Sequence, residues 1–226
     1  MRSLSEFASD CGGELHGEDR QFRSVSTDTR RIAAGQLFVA LRGPSFDGNE
    51  FLDVAARAGA AGALAERTGP SGLPVVQVQD SLVALQRAAR QWRHRFAAPL
   101  IGVAGSNGKT STKEMLAAIL AQRGPTLATR GNLNNHIGVP LTLLELEQGH
   151  RHAVIEMGAN HPGDVAELAG IDIGEIMPWT DGESLVPLMG SSKRSAPVLM
   201  EYTAEGSQAP LVCIREGDWK FVHCEL

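Results

Sequence analysis

A glycine-rich turn between an apolar strand and an amphipathic helix is the part of the chain best suited to chemistry. The turn reads Gly105-Ser106-Asn107-Gly108-Lys109-Thr110-Ser111. Glycines let successive backbone N–H groups point at one phosphate cluster, and the N-terminus of the following helix adds a favourable dipole. Lys109 supplies a mobile positive charge for β- and γ-phosphates, and the Thr110 hydroxyl can ligate Mg²⁺. The turn therefore predicts a nucleotide phosphate site, with a simple glycine turn as the alternative.

This turn matches only the shorter form of the phosphate-loop signature. Val103 stands where G-x-x-x-x-G-K-T has its first glycine, so the pattern present is G-x-x-G-K-T. The flanking sequence has the context that the signature requires, because an apolar strand is predicted over 100–104 and a helix from about 110 to 122. We therefore expect all seven residues of the turn to bind the phosphates of a nucleotide.

Glu156 is the second residue with a chemical role to consider. It ends an apolar run, Ala153-Val154-Ile155, which predicts a strand over 153–157. A parallel strand beside the first would bring this carboxylate close to the phosphate loop, where phosphate-bound Mg²⁺ needs an oxygen ligand. The alternative is a solvated acid at the end of a strand.

The elements that must position these residues alternate between strand and helix. A short helix near 139–146 is predicted between the phosphate-loop helix and the strand at 153–157. Strand, helix and strand in alternation indicate a parallel sheet.

The segment before residue 98 reads as a smaller α/β unit. Strands are predicted over 35–41, 63–65 and 74–78, and an alanine-rich helix over 49–60. Ser81 is expected to cap a further helix, whose apolar residues recur every three or four positions up to Phe96.

The composition changes abruptly near residue 170. Alanine falls from 25 of the first 170 residues to 3 of the last 56. The βα alternation stops, and the apolar segments 209–214 and 219–222 favour a β-hairpin. The whole chain is therefore predicted as α/β, with domains at 1–98 and 99–169 and an irregular β-rich tail at 170–226.

Composition excludes several classes of function. The chain has 226 residues, a formal net charge of -5 and three scattered cysteines. An acidic balance argues against a nucleic-acid surface, and no apolar run is long enough to span a membrane. Cysteines without C-x-x-C spacing predict neither a metal cluster nor a disulfide framework. A cytoplasmic protein with reduced thiols is expected.

Three stretches of the chain resemble the Mur ligase family. They begin at Val103, Gly131 and Ile155 and read VAGSNGKTSTKEML, GNLNNHIGVPLTLL and IEMGANHPGD. The second stretch is the most discriminating, because the phosphate loop is common to all Mur and folylpolyglutamate ligases. In the first 98 residues, STDTR, GQLFVAL and DGNEF also resemble the uridine-nucleotide-binding domain of the family, although Asn49 stands where relatives commonly have histidine. The resemblance covers about residues 1–169.

The resemblance implies ATP-dependent amide-bond synthesis in peptidoglycan assembly. The terminal carboxylate of UDP-MurNAc-tripeptide would be phosphorylated by ATP, and the amine of D-Ala-D-Ala would attack the acyl phosphate. Thr110 and Glu156 would then hold Mg²⁺, with Lys109 and Glu156 as the catalytic residues. Asn134 and Asn135 would lie near the nucleotide. A monomer acting on these small molecules is expected.

The resemblance also implies a uridine-nucleotide role for the first domain. Ser26, Asp28 and Arg30 would lie on that side of the substrate. Their alternative is a capped turn with a surface ion pair. His136 and His161 could be considered as metal ligands, but their separation and lack of paired ligands argue against a metal site. Ordinary polar or nucleotide-adjacent roles are favoured for both.

The tail from about residue 170 departs from the family pattern. It resembles a C-terminal piece of a choline-sulfatase-like protein, but it lacks the C-x-P-x-R nucleophile motif of sulfatases. We expect a junction at 167–171, made by gene fusion or by an assembly artefact, and hence a truncated ligase with weak or no activity. The alternatives are a nucleotide-binding module without catalysis and, less favoured, a sulfatase-related protein.

Overall fold

The computed structural model describes residues 1–68, 72–104 and 108–158, together with the backbone of three strands between residues 198 and 222. Contacts divide the chain into two compact units. Unit 1 comprises residues 1–95 and 143–145, and unit 2 comprises residues 96–142 and 146–226. Within the described residues, no helix is long and apolar enough to cross a lipid bilayer.

Unit 1 is built on a mixed five-stranded sheet. Its elements are β1 (Arg2–Ser3), α1 (Leu4–Cys11), β2 (Glu14–His16), β3 (Gln21–Phe22), β4 (Val25–Ser26), β5 (Leu37–Val39), α2 (Leu52–Arg57), β6 (Gly62–Ala65), β7 (Val75–Gln77) and α3 (Ser81–Arg93). The sheet order is β2-β7-β6-β5-β4, in which β4 to β7 are parallel and β2 is antiparallel to β7. The short strands β1 and β3 pair separately.

Small apolar residues form the core of unit 1. Phe38 and Val75 on the sheet pack in one cluster with Leu52 and Ala55 of α2. Alanine at many of the cluster positions lets the helix lie close to the sheet, because its side chain adds little thickness. The strands predicted over 35–41, 63–65 and 74–78 are all present, within a few residues of the expected bounds.

Two predictions for the helices of unit 1 need correction. The helix expected over 49–60 is a 3₁₀ turn, Gly48–Phe51, followed by the shorter α2. At its start the buried Asn49 accepts a hydrogen bond from the backbone N–H of Glu66 at 2.9 Å, and soon after its end the chain turns through the left-handed Gly59. Ser81 is the first helical residue of α3 and is not its cap. The Asp80 carboxylate accepts hydrogen bonds from the first N–H groups of α3 instead.

Unit 2 contains a parallel sheet, as the alternation of elements predicts. Its elements are β8 (Leu100–Val103), α4 (Lys109–Ala121), β9 (Thr126–Ala128), α5 (Gly138–Leu143) and β10 (His152–Glu156). The sheet order is β8-β10-β9, so β10 lies in the middle with a parallel neighbour on each side. Four of the five residues of β10 are buried. This central strand is the one that carries Glu156.

Three antiparallel strands lie between residues 198 and 222. They are β11 (Val198–Tyr202), β12 (Leu211–Glu216) and β13 (Trp219–Val222). β12 pairs with both of the others. The β12–β13 pair confirms the predicted hairpin, with strand bounds shifted by up to two residues.

Candidate functional site

The described part of the phosphate loop is its second half, where the turn becomes a helix. Gly105, Ser106 and Asn107 lie outside the described residues. Gly108 has φ 72° and ψ 1°, the left-handed conformation that favours glycine, and it is the N-cap of α4. A Cβ at Gly108 would meet nothing within 4 Å, so the demand for glycine here is conformational.

The functional side chains of the loop lie in the first turn of α4. Lys109 is partly buried, while Thr110 and Ser111 are exposed. The first N–H groups of an α-helix have no partner within the helix, so this turn offers donors to an anion. The arrangement is chemically suited to phosphate, with a cation and two hydroxyl groups beside those donors.

Strand register brings Glu156 to the start of the same loop. Glu156 pairs with Val103, the last residue of β8, in the parallel ladder. The backbone N–H of the next residue, Met157, donates to the Val103 carbonyl at 2.8 Å. Because both strands end at the same edge of the sheet, the carboxylate-bearing residue stands next to the point where the loop begins.

The Glu156 side chain is buried and held by named partners. Its exposed fraction is 2%. Oε1 accepts a hydrogen bond from Nδ2 of Asn134 at 2.8 Å, and the backbone N–H donates to the Thr129 hydroxyl at 2.9 Å. Oε2 is buried with no hydrogen-bond partner. A buried carboxylate oxygen without a donor is costly unless a cation or ligand completes it, so this oxygen fits a metal ligand.

The loop before α5 carries the two asparagines expected near the nucleotide. Asn134 contacts Glu156 through its amide, and its backbone carbonyl accepts the N–H of Gly158 at 2.6 Å. Asn135 has a local role, because its Oδ1 accepts hydrogen bonds from the N–H groups of Ile137 and Gly138 at 3.1 and 2.8 Å. The two neighbours therefore serve different parts of the structure.

Lys113 and Thr129 belong to this cluster, although neither is among the predicted site residues. Lys113 is fully buried, and its ammonium donates to the Thr129 carbonyl at 2.8 Å. Its Nζ lies 3.7 Å from Oε2 of Glu156 and 2.9 Å from Oε1 of Glu114. One sequence signal was available, because Lys113 lies on the same helical stripe as Leu116, Ala117 and Leu120.

A metal site of several protein ligands is not found among the described residues. There, no three His, Cys, Asp or Glu side chains are grouped closely enough to hold an ion. Mg²⁺ bound with nucleotides commonly takes one or two protein oxygens, with phosphates and water as the other ligands. Glu156 and Thr110 fit that smaller donor set. His136 is exposed, and His161 lies outside the described residues.

The three residues expected on the uridine-nucleotide side form one turn in unit 1. The Ser26 hydroxyl lies 3.3 Å from the backbone oxygen and nitrogen of Asp28. Arg30 donates to the Asp28 carboxylate from Nε and Nη2, both at 2.9 Å, and from its backbone N–H at 3.0 Å. These bonds lower the pKa of Asp28 from 3.8 to about 2. The guanidinium is 86% exposed, so it remains accessible to an anionic ligand.

Comparison with known proteins finds similarity to ligases. Residues 103–177 match the family model described as Mur ligase middle domain. The UDP-N-acetylmuramoyl-tripeptide–D-alanyl-D-alanine ligase of Escherichia coli is 47% identical over 164 residues, which are 73% of this chain and 36% of that protein. The enzyme of the same name from Synechocystis is 45% identical over 191 residues, 83% of this chain and 42% of its own length.

Solved structures agree with these sequence matches. The UDP-N-acetylmuramoylalanyl-D-glutamyl-2,6-diaminopimelate–D-alanyl-D-alanyl ligase of Acinetobacter baumannii superposes with a TM-score of 0.70 at 36% identity. That match covers 75% of this chain and 39% of the other. MurF ligase from Thermotoga maritima in complex with ADP gives a TM-score of 0.58 at 25% identity, over 88% of this chain and 57% of its own. The chain spans less than half the length of the curated relatives described above.

These matches change the expected limit of the resemblance. Residues 1–169 are about 75% of the chain, whereas the Synechocystis match includes 83% of it. The family model likewise ends at residue 177. The similarity therefore continues past the expected end at 169, and these matches do not support the sulfatase resemblance of the tail. Residues 103–177 thus match the Mur ligase middle domain, and most of the chain is similar to part of the UDP-N-acetylmuramoyl-tripeptide–D-alanyl-D-alanine ligases.

Proposed function

We propose that this chain binds ATP with Mg²⁺ and uridine-nucleotide substrate as part of a peptidoglycan-precursor ligase. The reaction joins D-Ala-D-Ala to UDP-MurNAc-tripeptide. The γ-phosphoryl group of ATP passes to the terminal carboxylate of the tripeptide, which yields an acyl phosphate and ADP. The amine of D-Ala-D-Ala then attacks the acyl carbon, an amide bond forms, and inorganic phosphate leaves.

The observation that supports this proposal most strongly is that the buried Oε2 of Glu156 accepts no hydrogen bond. It is a buried acceptor at the end of the central strand, and the neighbouring strand leads into the phosphate loop. A carboxylate in a purely structural role would be expected to have donors on both oxygens. One oxygen that accepts from Asn134 and one that accepts no hydrogen bond is the pattern expected of a ligand for a cation.

Each loop residue has a distinct part in the proposed phosphoryl transfer. This chemistry needs positioning and charge neutralisation more than a protein nucleophile. Lys109 neutralises charge on the β- and γ-phosphates, and backbone N–H groups at the start of α4 bind phosphate oxygens. Thr110 and Glu156 hold Mg²⁺, which when bound neutralises the charge that develops between those phosphates. Gly105, Ser106, Asn107 and Ser111 complete the cradle, and Asn134 and Asn135 lie beside the nucleotide.

The first domain, residues 1–98, is proposed to hold the uridine nucleotide. Ser26, Asp28 and Arg30 carry this role, because their turn presents an exposed guanidinium that suits a diphosphate. The Asp28 carboxylate orients that guanidinium through two parallel hydrogen bonds. The second domain, residues 99–169, then supplies the ATP site. Monomeric state and cytoplasmic location remain predictions.

A nucleotide-binding chain without ligase turnover is the second candidate. The observation that favours it is that the described site residues, Lys109, Thr110 and Glu156, all suit phosphate and Mg²⁺. Both candidates share the ATP site, so one experiment separates them.

The test combines ATP binding with phosphate release. Calorimetry with ATP and Mg²⁺ is run on the full chain, on Lys109→Ala, and on Arg123→Ala, which removes an exposed cation just beyond α4. Loss of a charge-assisted bond of about 1.5–3 kcal/mol predicts roughly 10- to 100-fold weaker binding for Lys109→Ala. Arg123→Ala should bind like the unaltered chain.

Phosphate release is then measured with ATP, Mg²⁺, UDP-MurNAc-tripeptide and D-Ala-D-Ala. Turnover that requires both peptide substrates and disappears in Lys109→Ala supports the ligase. ATP binding without turnover supports the nucleotide-binding candidate. Absence of ATP binding by the unaltered, folded chain contradicts both.

A further inference from the structure

Lys113 is a fully buried lysine on a helix whose other residues are exposed or only partly buried. It is the one buried residue of α4. Lysine is almost never fully buried unless its charge is paired, because removing an ammonium from water is expensive. The side chain must therefore gain from specific partners.

The partners of Lys113 come from three places in unit 2. Its Nζ donates to the Thr129 carbonyl just after β9, at 2.8 Å. It forms an ion pair of 2.9 Å with the largely exposed carboxylate of Glu114. It lies 3.7 Å from Oε2 of Glu156, which is close enough for charge attraction but too far for a hydrogen bond.

Thr129 connects the lysine to the same glutamate by a second route. While its carbonyl accepts from Lys113, its hydroxyl accepts the backbone N–H of Glu156. Thr129 is itself 2% exposed. The ammonium and the end of β10 are thus anchored to one buried residue, and the first helix after the phosphate loop is fixed relative to Glu156.

The geometry leaves Oε2 of Glu156 without a hydrogen bond, so this oxygen can accept another cation. Asn134 holds Oε1, and the nearby ammonium attracts Oε2 without forming a hydrogen bond to it. A lysine at hydrogen-bond distance would occupy the lone pair that a metal ion needs. A neutral residue there would leave the buried carboxylate with no compensating charge beyond that of the bound ion.

We propose that Lys113 is a positioning residue for the nucleotide site, which orients the Glu156 carboxylate so that Oε2 can receive the Mg²⁺ of the bound nucleotide. This inference rests on the proposed function. Lys109 and Lys113, one helical turn apart, then have separate tasks: the first binds phosphate and the second orients the metal ligand. Partners of a metal ligand typically change metal affinity by about 10- to 100-fold when removed.

The test measures ADP binding to the full chain as a function of free Mg²⁺, with ADP in EDTA as the metal-free reference. The variants are Lys113→Met, which removes the charge, and Lys113→Arg, which retains it. Glu114→Gln is the matched control, because it alters the exposed partner of Lys113 and leaves Thr129 and Glu156 intact. All measurements are made well below the melting temperature of each variant.

The expected result is a selective change in the Mg²⁺ dependence. Lys113→Met should raise the Mg²⁺ concentration for half-maximal ADP binding by about 10-fold or more, while ADP affinity in EDTA changes by less than about twofold. Lys113→Arg should recover part of the loss, and Glu114→Gln should behave like the unaltered chain. Equal weakening in Mg²⁺ and in EDTA, or no change in either, would overturn the inference.

A second variant covers the case in which Lys113→Met does not fold. Lys113→Gln removes the charge but keeps a donor for the Thr129 carbonyl, and the same Mg²⁺ shift is expected. Failure of both neutral variants to fold would overturn the inference in favour of a purely structural lysine. If the unaltered chain binds no ADP under any condition, the proposed function fails as well, which distinguishes the two failures.

Discussion

Glu156 illustrates how much a single side chain depends on its surroundings. At the end of a strand, an acid is most simply interpreted as a solvated one, and its 2% exposure contradicts that interpretation. The burial places an ionisable group where each oxygen needs a hydrogen-bond donor, and the described residues supply one only for Oε1. The functional interest of this residue therefore comes from burial together with incomplete pairing.

Asp28 gives a prediction at the same scale that can be tested by pH. Its pKa is about 2 in the folded chain, chiefly because the Arg30 side chain hydrogen-bonds to it, with a further bond from the Arg30 backbone. A carboxyl whose pKa is lowered by folding stabilises the folded state above its unfolded pKa. That contribution is lost as the pH falls from about 4 towards 2.

Replacing the arginine should reverse much of this shift. In Arg30→Met the backbone N–H remains but the guanidinium is gone, so the pKa of Asp28 should rise from about 2 towards its ordinary 3.8. The measurement is an NMR titration of the side-chain carboxyl carbon. Arg31→Met is the control, because that arginine makes only a minor contribution to the same pKa. An unchanged pKa in Arg30→Met would show that the ion pair is not formed in solution.

Among the elements, α3 shows how a helix can begin one residue away from the expected place. Asp80 Oδ1 accepts from the N–H groups of Leu82 and Val83 at 2.8 and 3.0 Å. Ser81 is 1% exposed, and its hydroxyl has no hydrogen-bond partner. Serine and aspartate are both good N-cap residues, so the sequence alone does not distinguish Asp80 from Ser81 as the cap of α3.

Alanine substitution should therefore lower the free energy of unfolding at Asp80 but not at Ser81. Asp80→Ala should lower the free energy of unfolding by about 1 kcal/mol, because two helix-end N–H groups lose their acceptor. Ser81→Ala should be neutral or slightly stabilising, because it removes a buried hydroxyl without a partner. Urea denaturation monitored by circular dichroism measures both, with Gln79→Ala as the exposed neighbouring control. A larger loss in Ser81→Ala than in Asp80→Ala would contradict the observed cap.

Local sequence signals predicted the bounds of α4 well and those of α2 poorly. The phosphate-loop helix, expected over 110–122, is found at Lys109–Ala121, because a left-handed glycine and the following helical pattern are local features. The helix expected over 49–60 begins as a 3₁₀ turn, where Asn49 bonds to Glu66 in a later segment, and it ends shortly before the left-handed Gly59. Lys113 was not predicted as a site residue, because its partners Thr129 and Glu156 are distant in sequence and contact it only in the folded unit.

For the whole molecule, the division into two units carries the main functional consequence. Unit 1 contains the proposed uridine-nucleotide turn, and unit 2 contains the phosphate-loop helix and Glu156. The parallel order of the β8-β10-β9 sheet was predictable from the alternation of strands and helices. The central position of β10 was not, because the order of strands within a sheet depends on contacts between distant segments.

Two units with separate sites should be protected separately by their ligands. A ligand present at 100 times its Kd stabilises the unit that binds it by about 2.7 kcal/mol. Amides that exchange through opening of that unit should then exchange roughly 100-fold more slowly. Mg²⁺–ADP should slow hydrogen exchange in residues 96–142 and 146–158, and UDP-MurNAc-tripeptide should slow it in residues 1–95.

Hydrogen-exchange mass spectrometry of the full chain with each ligand alone tests this expectation. Lys109→Ala provides the control for Mg²⁺–ADP, because it should remove the protection of unit 2 and leave protection by UDP-MurNAc-tripeptide unchanged. Arg30→Met provides the reciprocal control for unit 1. Equal protection of both units by Mg²⁺–ADP would contradict independent sites, and it would mean that nucleotide binding in one unit is coupled to the stability of the other.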